Sequence, residues 1–187
     1  CIRDRCYARV QGFRDRSQGI VDGNLSEADA LREVRAMLRA TGYRPEPGTE
    51  GTIQDLNSDA RQRLILDTNV AMVQGKAYRD SMMGSIAYPA QRLVRERYSR
   101  QPRDWAARWR EAAAAVNYEG VATDGSHIAL LTSPIWRKLS RFDLPYPPYD
   151  YNSGMGVDPV DYEEAQRHGL VIPEATIEGM DNESLNA

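Results

Sequence analysis

Cysteine, histidine and lysine are scarce in this sequence, and it has no long apolar run. Of its 187 residues, two are cysteine and two are histidine, and the only lysines are Lys76 and Lys138. Cys1 and Cys6 are too few for a disulfide framework and have poor spacing for a metal site, so we expect free thiols. No stretch approaches the ~18–20 apolar residues that cross a bilayer, and the first residues lack a signal-peptide pattern. The sequence therefore predicts no membrane partner.

The common catalytic motifs are missing as well. The sequence contains no GxxxxGK[ST] or GxGxxG phosphate loop, and no HExxH, CxxC or GxSxG pattern. Asp124, Ser126 and His127 are near neighbours in the chain, whereas a hydrolytic triad needs side chains from separate elements. His168 precedes Gly169, where a helix end explains it. We therefore predict a protein that is not an enzyme and has no cofactor and no metal.

Charge is divided unevenly along the chain. Residues 1–110 carry 20 Lys and Arg against 14 Asp and Glu, whereas residues 111–187 carry 4 against 13. The first part could bind nucleic acid or an acidic protein, and the candidate nucleic-acid residues are Arg92, Arg95, Arg97 and Arg100. Many of the arginines stand beside acids at helical spacing, so solvated helix faces are the competing interpretation.

The periodicity predicts a mainly α protein of the α+β class, with long helices and a small irregular C-terminal section containing a short β element. Helices are expected over residues 1–21, 25–42, 57–85, 88–101, 102–116, 133–140 and 161–169, and short strands within residues 123–133 and 170–172. The first helix has Ile2, Cys6, Val10 and Phe13 as its apolar stripe, and the second has Leu31, Val34 and Leu38 with Ser26 as its N-cap. Gly75 in the third helix suggests close helix packing, Trp105 and Trp109 lie on one face of their helix, and Asp161 is placed to cap the last helix. We divide the chain into an N-terminal helical arm (1–45), a helical core with a Pro/Tyr-rich loop (53–172) and an extended acidic tail (173–187).

The stretch LSRFDLPYPPYDYNSGMGV, residues 139–157, differs in composition from the rest of the chain. It holds three prolines, three tyrosines, two glycines and two aspartates, with no histidine, lysine or cysteine. Prolines lower the entropy lost on ordering, and tyrosines supply rigid area that can bury a ring and still form hydrogen bonds. Two interpretations remain open and are compatible: a fixed docking surface, or a loop that packs over the helices of its own domain.

The segment SPIWRKLSRFDLPYPPYDYNSGMGVDPVDYEEAQRHGLV, residues 133–171, resembles tailed-phage head-morphogenesis proteins of the Mu F-like minor head protein family. The helix LILDTNVAMVQGKAYRD, with Asn69, Ala71 and Gly75, is also similar to the central helix of that family. Together these segments span about residues 60–171. The residues that carry the resemblance in the C-terminal segment are Trp136, Pro145, Pro147, Pro148, Asp150, Ser153, Gly154, Met155 and the EAQRHGL stretch.

The resemblance implies a structural protein of the phage or prophage virion, located in the head or neck and assembled in the bacterial cytoplasm. Its partners would be portal or capsid protein within a multi-subunit assembly, with packaged DNA as a further candidate. The chain lacks the Arg-x-x-His segment and the closing Cys-x-Cys of better-known members, so it resembles a divergent branch. The candidate partner-binding residues are Trp136, Phe142, Pro145, Tyr146, Pro147, Pro148, Tyr149, Asp150, Tyr151, Ser153, Gly154 and Met155.

Two other classes of protein compete with this interpretation. One is a toxin or nuclease-associated domain, in which a carboxylate cluster binds Mg²⁺, although acids beside Pro and Gly are usually turn residues. The candidate carboxylates are Asp143, Asp150, Asp158 and Asp161. The other is a nucleic-acid-binding module that uses the Arg-rich helices, whose affinity would fall steeply with salt.

Overall fold

The computed structural model describes residues 2–83, 85, 87–98, 102–118, 120 and 125–172. These residues form six helices and a small antiparallel sheet, which confirms the mainly α, α+β class. The acidic tail predicted for residues 173–187 lies outside the described residues. The elements in chain order are α1 (Ile2–Val21), α2 (Glu27–Ala40), α3 (Asp59–Met83), β1 (Ala90–Arg95), α4 (Trp105–Ala115), β2 (Ile128–Leu130), α5 (Ile135–Leu139), β3 (Met155–Val160) and α6 (Tyr162–Arg167).

The chain divides into two compact units, Cys1–Gln74 and Gly75–Ala187, and the boundary falls inside α3. The division made from the sequence lay instead between residues 45 and 53. The two differ because Leu66 of α3 is buried in the same core as Phe13 of α1. The start of the long helix thus belongs to the first unit, and its end belongs to the second.

The first unit is a helical core built mainly on α2. The Ser26 side chain caps α2 by accepting a hydrogen bond from the Asp29 N–H at 3.1 Å, as the sequence predicts. The predicted stripe of α2, Leu31, Val34 and Leu38, is buried together with Ala30, and these residues form most of the core. On α1 only part of the predicted stripe is correct, because Phe13 is buried whereas Cys6 and Val10 are exposed.

The second unit contains a three-stranded antiparallel sheet with the order β2-β1-β3. Side chains alternate between the two faces of a strand, so successive residues of β1 enter different cores. Leu93 lies in a core with α4 and α5, which we call the tryptophan core because Trp105, Trp109 and Trp136 are in it. Ala90 lies in the other core with Val160 and Ala165 of α6.

The helix predicted over residues 88–101 is wrong, because Ala90–Arg95 form the central strand of the sheet. The adjacent apolar residues Leu93 and Val94 fit either a helix or a strand. Pairing decides between them: β1 is hydrogen-bonded on both edges, to β2 and to β3. Long-range contacts of this kind override local propensity, and a single sequence does not reveal them.

The C-terminal strand also differs from its prediction. Residues 170–172 are not a strand; instead Leu170 and Ile172 are buried in the core beside α6. The strand that pairs with β1 is Met155–Val160, inside and just after the stretch taken as irregular. The remaining helical predictions for this unit hold, and the Asp161 side chain caps α6 by accepting a hydrogen bond from Glu164 N–H at 2.7 Å.

Candidate functional site

The inner side of the Pro/Tyr-rich loop, residues 139–155, is part of the tryptophan core. Trp136 and Tyr149 are both completely buried, and their rings stack with centroids 5.9 Å apart. The Trp136 indole N–H donates to the Leu130 carbonyl at 2.9 Å, which joins α5 to β2. Trp109 of α4 meets Trp136 edge to face at 5.4 Å. The loop therefore rests on a continuous aromatic layer, and its attachment does not depend on exposed contacts.

Arginine side chains hold the loop through its backbone carbonyls. Arg79 of α3 donates to the Pro145 carbonyl at 3.0 Å, and Arg103 donates to the Tyr151 carbonyl at 2.8 Å. Arg137 of α5 donates to the Asp143 carbonyl at 2.8 Å. A carbonyl contact of this kind fixes the chain path without specifying the side chain at that position. These three residues determine the outline of the loop.

Asp150 is the one acidic side chain buried in this loop, with a side-chain exposure of 9%. Its Oδ2 accepts from Arg108 Nη1 at 2.9 Å and lies 3.5 Å from Arg103 Nε. Its Oδ1 accepts from the Tyr151 N–H at 2.8 Å. Both carboxylate oxygens are thus satisfied, which a buried charge requires. The residue connects the loop to α4 and to the segment before it.

The loop backbone adopts turns that need special residues. Asp143, Asn152 and Gly154 have positive φ angles of 54°, 46° and 63°. A Cβ on Gly154 would overlap the Arg97 carbonyl oxygen, so only glycine fits there. The Pro147–Pro148 bond is cis.

The Pro147 carbonyl lies so close to Gly75 of α3 that a Cβ on this glycine would overlap it. Gly75 was expected to allow close helix packing; its actual neighbour is the proline loop.

The outer side of the loop carries the accessible rings. Phe142 and Tyr151 meet edge to face at 4.9 Å, and the Arg141 guanidinium lies 5.9 Å from the Tyr151 ring centroid. Tyr151 is 39% exposed, and Phe142 is half-buried. We call Arg141, Phe142 and Tyr151 the outer patch. The other half-buried loop residues are Leu144, Pro145, Tyr146, Pro147 and Pro148.

The structure therefore divides the predicted partner-binding residues into two groups. One group is buried and cannot meet a partner in this conformation: Trp136, Tyr149, Asp150, Ser153 and Met155. The other group reaches the surface in whole or in part: Phe142, Pro145, Tyr146, Pro147, Pro148, Tyr151 and Gly154. The inner side of the stretch packs on its own domain, whereas docking through the outward side stays a prediction.

Arg92, Arg95 and Arg97, the predicted nucleic-acid residues that the structure describes, do not lie on a helix. Arg92 and Arg95 point to opposite faces of β1, and Arg92 pairs with Glu164 of α6. One Arg95 nitrogen, Nη1, is buried without a hydrogen-bond partner among the described residues. Arg97 is exposed, and Arg100 lies outside the described residues. A nucleic-acid contact here stays a prediction, but it can no longer rest on a helical arginine face.

The four candidate metal carboxylates have different surroundings. Asp150 binds arginines, Asp161 caps α6, and Asp143 is exposed with its carboxylate 3.8 Å from Arg137. Asp158 lies exposed on β3. Within the described part of the chain, no group of three or more His, Cys, Asp and Glu side chains is arranged to hold a metal ion.

The two histidines lie at a ring contact and at a helix end. The His127 ring lies 5.4 Å from the ring of Trp109, and its carbonyl accepts from the Leu93 N–H at 3.0 Å. His168 ends α6, where the sequence placed it. The neighbouring Asp124 lies outside the described residues.

Sequence reasoning missed the arginines that hold the loop. The sequence indicates Arg79, Arg103 and Arg108 only as cations on helix faces. In the structure each donates a hydrogen bond to a loop carbonyl or to the Asp150 carboxylate. A signal was present in the loop itself: an aspartate among prolines and tyrosines must pair with a cation if the rings around it are buried. The sequence does not indicate which arginines supply that charge.

The Tyr149 hydroxyl provides a test of the packing beneath the loop. It is buried without a hydrogen-bond partner among the described residues, and burial raises the pKa of Tyr149 far above its ordinary 10.0. Burial also raises the pKa of Tyr78. A buried hydroxyl with no partner is costly, so we expect Tyr149→Phe to raise the free energy of unfolding by about 1 kcal/mol near neutral pH.

The same substitution should change the alkaline limb of the stability curve. The pKa of Tyr149 is higher in the folded protein than in the unfolded chain, so the unfolded chain ionises first. The free energy of unfolding is therefore unaffected by this ionisation below pH 10.0 and falls as pH rises from there through the folded pKa. One such group contributes a slope of up to about 1.4 kcal/mol per pH unit. Denaturant titrations from pH 8 to 11 should give a shallower fall for Tyr149→Phe than for wild type. The control is Tyr98→Phe, at a residue that is 96% exposed, which should leave the pH dependence of stability unchanged. A loss of stability in Tyr149→Phe at neutral pH would show instead that the Tyr149 hydroxyl has a hydrogen-bond partner.

Comparison with known proteins identifies no relative: no protein-family model, no curated protein and no solved structure matches the chain. Across the described ranges, no helix combines the length and the apolar character needed to cross a membrane.

Proposed function

We propose that this chain is a minor head protein of a tailed phage or prophage, which binds portal or capsid protein through the outer side of the Pro/Tyr-rich loop and catalyses no reaction. The observation that carries the proposal is the two-sided construction of the loop. Trp136, Tyr149 and Asp150 hold it from within, while Phe142 and Tyr151 face outward. The resemblance of residues 60–171 to minor head proteins names the class of partner.

The physical support is preorganisation. Immobilising a loop on binding costs conformational entropy, and that cost is reduced when the loop is already ordered in the free protein. Arginine contacts to three loop carbonyls and the stacked Trp136–Tyr149 pair provide this order. Tyrosine and arginine are also the residue types that contribute most to protein interfaces, and both occur in the outer patch. The loop thus combines a rigid base with side chains suited to a docking surface.

The proposal is tested by co-expressing the chain with the products of its neighbouring genes. We expect it to co-purify with a portal-like ring or capsid shell and to appear as extra density in electron micrographs of that assembly. A chain that purifies as a compact monomer, with no affinity for either protein, would refute the assignment. In that case the acidic C-terminal section should be assayed for nuclease and transferase activity.

A further inference from the structure

The two edges of the sheet differ in how their backbone groups are used. Leu93 N–H donates to the His127 carbonyl at 3.0 Å, and Glu96 N–H donates to the Gly154 carbonyl at 2.9 Å. In an antiparallel strand both polar groups of a residue point the same way, and the direction alternates along the strand. Odd-numbered residues of β1 therefore bond to β2, and even-numbered residues bond to β3. With the observed register, Gly156, Asp158 and Val160 of β3 face β1.

The outer edge of β2 is closed by side chains. Its outward carbonyls are those of Ile128 and Leu130, by the same alternation. Tyr118 Oη donates to the Ile128 carbonyl, and Trp136 Nε1 donates to the Leu130 carbonyl at 2.9 Å. Ser133 N–H donates to the Leu130 carbonyl as well. A fourth strand could not pair at this edge without displacing them.

Within the part of the chain that the structure describes, the outer edge of β3 is open around Val157. Met155, Val157 and Pro159 are the outward residues, and the Met155 N–H is bound by Ser153 Oγ at 3.2 Å. Pro159 has no N–H, which explains how a proline fits in this strand. No hydrogen bond joins the outward N–H and C=O of Val157 to any described residue. The edge thus presents one donor, Val157 N–H, and three acceptors, the carbonyls of Met155, Val157 and Pro159.

An exposed acidic side chain, Asp158, lies on β3 itself. It has no ion-pair partner among the described residues. Glu164, by contrast, is neutralised by Arg92. Residues 111–187 as a whole carry 4 Lys and Arg against 13 Asp and Glu. A chain that approaches this edge meets unpaired negative charge, which favours a basic partner.

We propose that the β3 edge binds an extended, basic segment of another protein as a fourth strand. The segment supplies three backbone N–H donors and one carbonyl acceptor, and a Lys or Arg side chain faces Asp158. A second copy of this chain fits poorly. In a symmetric pair centred on Val157, Pro159 cannot donate and the Met155 N–H is taken, so only the two Val157 bonds would form readily. This edge is separate from the outer patch and does not depend on the function proposed above.

Amide hydrogen exchange tests the open edge in the intact chain. The Gly156 N–H faces β1 and should exchange slowly, whereas the neighbouring Val157 N–H should exchange quickly. The probe is a capped nine-residue peptide that alternates valine and arginine. Its addition should slow exchange at Val157 and leave Gly156 unchanged, and its binding should weaken as salt is raised. Slow exchange at Val157 in the free protein, or no protection by the peptide, would overturn the proposal.

Paired variants separate the backbone contact from the side chain. Val157→Pro removes the outward N–H, and Val157→Ala keeps it, so the proline variant should bind the peptide about tenfold more weakly than the alanine variant. Equal affinities would contradict strand pairing. If Val157→Pro fails to fold, Asp158→Lys replaces it and should weaken peptide binding at least tenfold relative to wild type. Concentration-dependent sedimentation of wild type that Val157→Pro removes would assign the edge to a second copy and overturn the basic-segment proposal.

Discussion

Trp136→Ala is expected to lower the free energy of unfolding by about 3–5 kcal/mol. Trp136 is completely buried, stacks on Tyr149 at 5.9 Å and meets Trp109 at 5.4 Å. Its removal leaves a large cavity between α4, α5 and the loop. The indole bond to the Leu130 carbonyl is lost as well. Denaturant titration, followed by circular dichroism and by fluorescence of the remaining tryptophans, measures the loss.

Two further substitutions determine how much of that loss comes from the cavity. Trp136→Phe keeps an aromatic ring but removes the N–H, so it should cost less than Trp136→Ala and more than zero. Tyr98→Ala removes a ring that is 96% exposed and should change stability by less than about 0.5 kcal/mol. A Trp136→Ala protein as stable as wild type would mean that the loop is not anchored by the tryptophan core.

Asp150→Ala should destabilise the protein by about 3–5 kcal/mol, because it leaves Arg108 and Arg103 without the buried carboxylate they share. Asp143→Ala is a matched control in the same loop. The Asp143 side chain is 80% exposed and lies 3.8 Å from Arg137, so its loss should cost about 0–1 kcal/mol. Thermal and denaturant unfolding of the two variants measures the difference.

A double-mutant cycle with Arg108→Ala assigns the Asp150 effect to the ion pair. The double variant should be more stable than the sum of the two single losses predicts, because removing both charges leaves neither one buried alone. Additive losses, or equal effects at Asp150 and Asp143, would show that the buried carboxylate does not hold the loop.

Local signals predicted the helices well where caps and stripes agreed. Ser26 and Asp161 cap the helices that follow them, and the tryptophans at positions 105 and 109 are buried on one face of α4. These features depend on residues within one or two turns of each other, so the sequence contains the information.

The sheet could not be predicted in the same way. Gln91 is 2% exposed in the middle of β1, and a polar residue at that position gives no sign of burial in the sequence. In β3 a glycine and a proline, Gly156 and Pro159, favour a loop assignment. Both tolerate a strand only because of their positions: Gly156 has no side chain to meet the Glu96 carboxylate, and Pro159 faces the outer edge. Those reasons involve residues about sixty positions away.

The candidate site was predicted in composition but not in geometry. The sequence located the Pro/Tyr-rich stretch and its need for rigidity, yet it could not distinguish Tyr149, which is completely buried, from Tyr151, which is 39% exposed. Adjacent tyrosines in an irregular loop carry no periodicity from which direction could be read. Their opposite roles arise from Trp136 on one side and Phe142 on the other.

The measurement that tests the central claim most directly is the affinity of a surface variant for the portal or capsid assembly. Phe142→Ser combined with Tyr151→Ser removes both rings of the outer patch and leaves Trp136, Tyr149 and Asp150 in place. We predict at least a tenfold loss of affinity, about 1.4 kcal/mol, with little change in the free energy of unfolding. The control Tyr98→Ser, on a ring outside the loop that is 96% exposed, should bind as wild type does. Unchanged affinity in the double variant would contradict the claim that this loop is the docking surface.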